Sequence, residues 1–518
     1  MKVRKLIIKG FKKFVDFSLE FNEEKSVIVG ENESGKTTIL DAIDLVLNQS
    51  IFRNQDSSMI KYLNLEQVNH FFSNPSIETL PKISIEMYID NLGKSNGVYF
   101  SGLHYESSDG EPKEGIKFVY ELDSDFLTHL DLNDFASKKI LPIEFYKASW
   151  TTFQGKAFKR QMLDLNYIFL DNSSSKNDLY GSYARKLFVA KIEEKNRREL
   201  SCSFNGKLKE FLGENSAILK IDESKKIGID VSKSSITNLV DIYENDISLK
   251  SMGKGRENII KTEMALNNRA FDLVLIEEPE NHLSHSNIKK LINVIDSATN
   301  EQLIITSHNS LVVGRLDLEN VIWISENRAY KLDQLDEDTS VYFSKVDNVD
   351  ILKFILSEKV VLVEGASEYI TFSEMFKKVT NKNIDKSGVE VISMGSVSYL
   401  RYKDIANQLK KKVAVIFDND KNPENIKNMF KEEYFRSFCS DDLGEWTFEV
   451  SLYNNNTTFF DTLYKDKKTE SEFKGEKVSK ALAHMLKNKT DNAIIVENKI
   501  SEINIPSYIE EAIKWISE

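Results

Sequence analysis

The sequence predicts an α/β chain built from two modules in series. Three observations predict it. A buried strand at Ser26–Val29 runs into a glycine-containing loop and then a helix over 36–47. Buried strands at 271–276 and 302–306, with helical text over 286–297 between them, make a βαβ step. From about residue 346, apolar strand-length segments alternate again with helices, the pattern of a second parallel sheet. The 518 residues agree, since about 100–200 per domain allows three or four units.

Composition narrows the class. Hydrophobic residues make up 41% and charged residues 29%, ordinary globular usage with enough apolar material for more than one core. Seven prolines and 21 glycines exclude collagen-like or low-complexity organisation. Cys202 and Cys439 alone make neither a disulfide framework nor an all-cysteine zinc ribbon. The opening MKVRKLIIKGFKK interleaves charge with apolar residues, so it has no signal-peptide core. The longest apolar runs are strand-length, far below the roughly 20 residues that cross a bilayer. A cytoplasmic protein without membrane contact is expected. The formal net charge of -12 at first argues against nucleic acid, which is bound through fields of Lys and Arg.

The opening strands, Val3–Ile8 and Phe14–Phe21, alternate apolar with charged residues. In the helix over 36–47, Ile39, Ile43, Val46 and Leu47 share one face. Between strand and helix stands Gly30-Glu31-Asn32-Glu33-Ser34-Gly35-Lys36-Thr37, a match to G-x-x-x-x-G-K-[ST] in the context the motif requires. Its backbone N–H groups and the helix dipole suit phosphate oxygens. Gly30, Asn32, Ser34, Gly35 and Thr38 frame the loop, Lys36 is placed to reach the β/γ-phosphates of ATP, and Thr37 to hold Mg²⁺. Strand Leu273–Ile276 ends in Glu277-Glu278-Pro279-Glu280. Two carboxylates there divide the work: Glu277 orients the metal shell and Glu278 polarises the attacking water. Glu277 stands where an aspartate is more usual. Strand Leu303–Thr306 delivers His308, placed as a γ-phosphate sensor. Residues 155–235 read as a charged, partly solvated helical insertion.

In the second module, strand Val360–Val363 ends in Glu364-Gly365, with Glu368 one helical turn on, and strand Val413–Phe417 ends in Asp418-Asn419-Asp420. Acidic residues at the ends of parallel strands converge on one sheet edge. Such carboxylates repel unless a hard cation neutralises them, and oxygen-only donors suit Mg²⁺ or Mn²⁺. A pair of these ions activates water and stabilises the leaving oxygen in phosphodiester cleavage.

The order of P-loop, long insertion, Ser251-Met252-Gly253, Glu-Glu-Pro-Glu and His308 resembles ABC-type ATPases of the SMC/RecF kind. That resemblance implies that Ser251 and Gly253 close the ATP site of a partner, so a homodimer is expected; the segment lacks the usual leading leucine-serine pair. Glu364-Gly365 followed by Asp418-x-Asp420 resembles the Toprim domain, a Rossmann-like parallel α/β fold. Two distant cysteines disfavour a primase, and a topoisomerase needs a separate gating domain. An ABC-type ATPase over 1–345 joined to a Toprim domain over 346–518 resembles the OLD (overcoming lysogenization defect) nuclease family, which includes the large subunit of Gabija-type phage-defence systems. The resemblance adds Glu449 as a further acidic residue and Lys477 as a late-helix lysine that stabilises charge on the cleaved phosphate. The cation site is then Glu364, Glu368, Asp418, Asp420 and Glu449. It also implies that 155–235 supplies dimer contacts.

The expected function is therefore an ATP-regulated, metal-dependent DNA endonuclease, with anti-phage defence implied by the resemblance. Net charge is a sum and binding depends on distribution. Lys410–Lys412, Lys474/Lys477/Lys480 and Lys487/Lys489 offer a basic rim to the proposed metal site. Two rivals stand beside this reading. One is a non-cutting repair ATPase whose Toprim fold only binds DNA. The other is an effector whose ATPase senses a second, helicase-like defence protein.

Overall fold

The computed structural model describes the chain except for residues 50–55, 91–93, 107–109, 172–178, 222–224, 226, 228–234, 268–270, 299, 301, 336, 337, 340, 341, 344–350, 395–398, 468–470 and 475. It divides into two compact units. The first is Met1–Leu316 with Ile324–Ala329, the second Asp317–Trp323 with Tyr330–Glu518. The division expected at 345/346 falls in the stretch 344–350, outside the described residues.

In the first unit, Phe14–Glu20, Lys2–Phe11, Ile83–Asp90 and Lys113–Leu122 pair antiparallel in that order, and Tyr146–Thr152 pairs with Lys113–Leu122. A second sheet holds Lys25–Gly30, Gln302–Ser307, Leu273–Glu277 and Tyr167–Asp171 in parallel. Its registers pair Val29 with Ser307 and Thr306 with Glu277, so these strands end together.

The helix Lys36–Leu47 contacts strands of both sheets. The sequence suggests one apolar face. The structure buries Ile39 and Ile43 but also Leu40, Ala42 and Leu45, so the helix is enclosed on nearly all sides. The reason is tertiary: a helix between two sheets needs apolar side chains toward each.

Residues 155–235 depart from the helical expectation. Tyr167–Asp171 is a strand beside Leu273–Glu277. Five residues, YIFLD, carry too short a pattern to declare themselves, and the neighbouring strand decides their conformation. Helices follow at Leu179–Lys191 and Glu194–Glu214, and the second of these buries no residue. The first is tied down by Tyr183, whose hydroxyl donates to the carbonyl of Lys261 at 2.6 Å.

The second unit is built on a parallel sheet in the order Val389–Ser393, Lys359–Val363, Lys412–Ile416, Phe435–Phe438. Val361, Val363, Ala414 and Ile416 join one core with Phe372, Phe376, Ile509 and Ile513. Their strand neighbours Val360, Leu362, Val413 and Val415 are buried as well, so both faces are covered. The last helix, Ser507–Ser517, opens after Pro506 as its sequence suggests. Among the described residues, no helix is long and apolar enough to cross a membrane.

The two-sided burial of the P-loop helix is testable. Leu40→Ala, off the face that the sequence pattern marks, is expected to cost about 2–5 kcal/mol, read as a lower denaturation midpoint at unchanged slope.

Candidate functional site

The first site forms where the parallel strands of the first unit end. Gly35 adopts φ 105° as it turns the chain into the helix, a left-handed conformation that favours glycine. A Cβ on Gly30 would come within 2.4 Å of the Ser34 hydroxyl, so the loop closes only around glycine there. Lys36 folds back over the loop, donating to the carbonyls of Gly30 at 2.7 Å and Glu31 at 2.8 Å. Burial holds its ammonium below the ordinary value, against the pull of Glu278, Glu280 and Glu277. Those carbonyls occupy the donors that phosphate oxygens would take. Asn32, Ser34, Gly35, Lys36, Thr37, Thr38 and Glu278 line a pocket of about 550 Å³ with Lys12 and Lys13.

Thr37 bonds through its hydroxyl to Glu277 Oε1, across 240 residues of sequence. A hydroxyl beside a carboxylate is the oxygen donor set that Mg²⁺ requires. Glu278, at φ 42°, turns away from the strand. One of its oxygens accepts from Asn281 Nδ2 at 2.9 Å and the other lies 3.3 Å from His308 Nδ1. His308 thus meets the pocket through Glu278. Ser251 and Gly253 are exposed where the helix Lys254–Leu266 begins, and neither lines this pocket. That helix reaches the acidic loop by another route, Asn258 Nδ2 donating to the carbonyl of Asn281 at 3.1 Å.

The second site lies in the other unit, where Val363 and Ile416 are register partners and the next residues carry the acids. Glu364 accepts from the Asp418 backbone N–H at 2.8 Å, and Asp418 accepts from that of Phe448 at 2.8 Å. Phe448 opens a helix whose second residue, Glu449, accepts from Ser367 at 2.9 Å and Lys489 at 2.7 Å. Glu368 is buried beside them. Burial, with Glu368, Glu364 and Glu449 adding repulsion, pushes the Asp418 carboxyl up to about 8. Burial together with Glu449 and Glu364 pushes Glu368 up to about 7. Asp420 is exposed at φ 51°, its N–H donating to the Trp446 carbonyl at 3.2 Å.

These are hard oxygen donors, and their mutual repulsion is what a divalent cation would relieve. Glu364, Glu368, Asp418, Asp420 and Glu449 therefore fit such an ion by donor type. Among the described residues, no three acidic, histidine or cysteine side chains are already arranged to hold one. Backbone amides, Ser367 and Lys489 engage several of these oxygens, so binding would require the carboxylates to turn toward the ion.

Three expectations change. Lys477 lies in a two-residue strand, Glu476–Lys477, paired with Glu472–Phe473, and is exposed. It is not on a helix, because Ser479 caps the helix that starts at Lys480. The lysine that reaches the acids is Lys489, drawn by Glu449, which favours its charge against partial desolvation. Lys410–Lys412 do not rim the acids either. They lie at the start of the strand Lys412–Ile416, about 20 Å of extended chain from Asp418, and Lys411 is buried with its ammonium on the Ser357 carbonyl.

Lys12, Lys13 and Glu280 also belong to the first site, beyond the residues its motifs mark for a role. Lys13 donates to the carbonyl of Glu33 in the P-loop at 2.6 Å, and Lys12 pairs with Asp41. Their only sequence signal is a basic pair in the turn between the first two strands. Glu280 was visible as the third acid of Glu-Glu-Pro-Glu, with nothing to say it would be buried.

Against this geometry, two family models match the chain. Residues 1–313 match the AAA ATPase domain. The chain belongs to that family. Residues 355–420 match the TOPRIM domain of overcoming lysogenization defect protein-like proteins. An ATPase domain followed by an OLD-like TOPRIM domain is the architecture of OLD-family nucleases, here a mixed α/β ATPase unit ahead of a parallel-sheet TOPRIM domain. It supports an ATP-dependent nuclease of that type.

Similar solved structures include an SMC head bound to the C-winged helix domain of ScpA, at 15% identity over 64% of this chain and 99% of that one, TM-score 0.34. Another is the SMC head domain from Thermotoga maritima, at 14% identity over 64% of this chain and 97% of that one, TM-score 0.28. No curated protein sequence matches the chain.

Two outcomes are expected. Since Asp418 and Glu368 bind protons up to about 8 and about 7, divalent-ion binding in the TOPRIM unit should release protons. Apparent affinity should rise as pH climbs through 7 and 8, measured by calorimetry in buffers of different ionisation enthalpy. Lys489→Met should lower any phosphodiester cleavage by about 10²-fold, the scale for losing one charge-stabilising donor. Lys477→Ala should leave the rate near wild type.

Proposed function

We propose that this protein is an ATP-regulated, divalent-metal-dependent DNA endonuclease of the OLD type, acting in anti-phage defence. The observation that carries the reading is the cluster of Glu364, Glu368, Asp418 and Glu449 at one edge of a TOPRIM sheet, with Glu368 and Glu449 buried and Glu364 and Asp418 half-buried. A fold that needed only stability would not gather four carboxyl groups and raise two of their pKa values toward neutrality.

In this reading, Glu364, Glu368, Asp418, Asp420 and Glu449 would hold Mg²⁺ or Mn²⁺, which would supply water activation and neutralisation of the leaving oxygen. Glu364 and Asp418 fix each other through the Asp418 amide, which sets the spacing of the two strand ends. Lys489 offers a donor to the phosphate while orienting Glu449. DNA is held by phosphate and shape contacts, as no base-reading motif is present in the sequence.

In the ATPase unit, Lys36 and Thr37 hold ATP and its Mg²⁺ with Glu277, and Glu278 polarises the water. Ser251 and Gly253, exposed and away from their own pocket, serve the ATP of a second copy. The protein therefore works as a homodimer, with the insertion helices supplying contacts between copies.

One observation favours a second reading, an effector held inert until a second protein binds. Both oxygens of Glu449 are engaged by Ser367 and Lys489. A plasmid-cleavage assay with Mg²⁺ or Mn²⁺ decides. Wild type is expected to cut and Glu364→Ala not to; equal behaviour of the two would sink the nuclease reading. Lys36→Ala in the same assay separates ATP control from cutting. Wild type inactive on every DNA, with cutting restored by a partner, selects the effector reading.

A further inference from the structure

We propose that Glu280 is a positioning residue for His308, holding the histidine where it distinguishes ATP from ADP. The proposal rests on the reading of His308 as the γ-phosphate sensor and names the group behind it.

Glu280 is 5% exposed, near the tip of an acidic loop whose other members serve water and metal. Its Oε1 accepts from the Ser307 hydroxyl at 2.7 Å and from the His308 backbone N–H at 3.0 Å. The same oxygen lies 3.6 Å from His308 Nδ1, while Glu278 Oε1 lies 3.3 Å from that nitrogen. Nδ1 thus faces two carboxylate oxygens, which favour a proton on that nitrogen. Nε2 is then the ring atom left for a ligand.

Glu280 thus holds the histidine's main chain and the residue before it by hydrogen bonds, and its carboxylate stands 3.6 Å from the ring nitrogen. Neither Glu280 nor His308 lines the nucleotide pocket, but Glu278 does and lies 3.3 Å from the His308 ring, so Glu280 acts on the site through that histidine. Its Oε2 is buried with no hydrogen-bond partner among the described residues. A buried polar atom left unsatisfied costs stability and calls for a reason other than the fold. Burial also raises this carboxyl's pKa, as Ser307 and the His308 amide work in the opposite sense. A clamp that only joined the loop to the strand end would be served by the Ser307 contact alone, without an acid beneath the imidazole.

The test uses the full chain. Affinities for ADP and for a non-hydrolysable ATP analogue are measured in wild type, Glu280→Gln, Glu280→Asp and His308→Ala, beside steady-state ATP hydrolysis. Glu280→Gln and His308→Ala should each lose about tenfold in preference for the triphosphate, the scale of a hydrogen bond to a charged group. ADP affinity should hold, and kcat should fall more than KM rises. A glutamine that keeps the wild-type preference while His308→Ala loses it overturns the proposal and leaves the sensor reading standing. If His308→Ala itself keeps the preference, the sensor reading fails and the proposal with it. Should Glu280→Gln not fold, Glu280→Asp, one methylene too short to keep these contacts, decides in the same way. Wild-type preference in Glu280→Asp then overturns the proposal.

Discussion

Everything functional in this protein depends on parallel strands that end together. A parallel register carries successive strands to a common edge, so whatever follows each strand is brought within hydrogen-bond reach of its neighbours. In the first unit the pairing of Val29 with Ser307 and of Thr306 with Glu277 sets Thr37, Glu277, Glu278 and His308 around one loop. In the second, the pairing of Val363 with Ile416 places Glu364 against the Asp418 amide. The hydrophobic strands are the scaffold, and the polar residues after them are the chemistry.

That arrangement sets a local conflict in each unit. Lys36 is buried against its charge, and its ammonium is satisfied by the loop's own carbonyls. Those bonds are replaceable by phosphate oxygens without leaving an unmet donor, which suits a loop that must bind and release. In the TOPRIM unit, the conflict is between like charges. Lys489 is the protein's internal answer for Glu449, and protonation is its answer for Asp418 and Glu368. A cation would replace both, so metal, proton and lysine are coupled through one small volume.

The -12 net charge acquires a local meaning in this light. Some of the acidity belongs to the two sites, gathered where parallel strands end rather than spread over the surface. A bound divalent cation would invert the sign of the local field there. Basic groups are less freely available than a count suggests. Lys411 is buried in the fold, and Lys12 is committed to Asp41.

The sequence by itself determined the parts whose physics is local. The G-x-x-x-x-G-K-T spacing, the strand before it and the helix after it are one continuous segment, and so are each strand and the acid that ends it. Tertiary structure alone decided what depends on distant partners. The strand Tyr167–Asp171 needed Leu273–Glu277 beside it to be a strand at all. The P-loop helix needed two sheets to explain Leu40 and Leu45. Lys489 was one lysine among several until Glu449, 40 residues away, selected it over Lys477. Glu280 was one acid of three until Ser307 and His308 folded onto it. A charge is legible in sequence, but its partner is a property of three-dimensional distance.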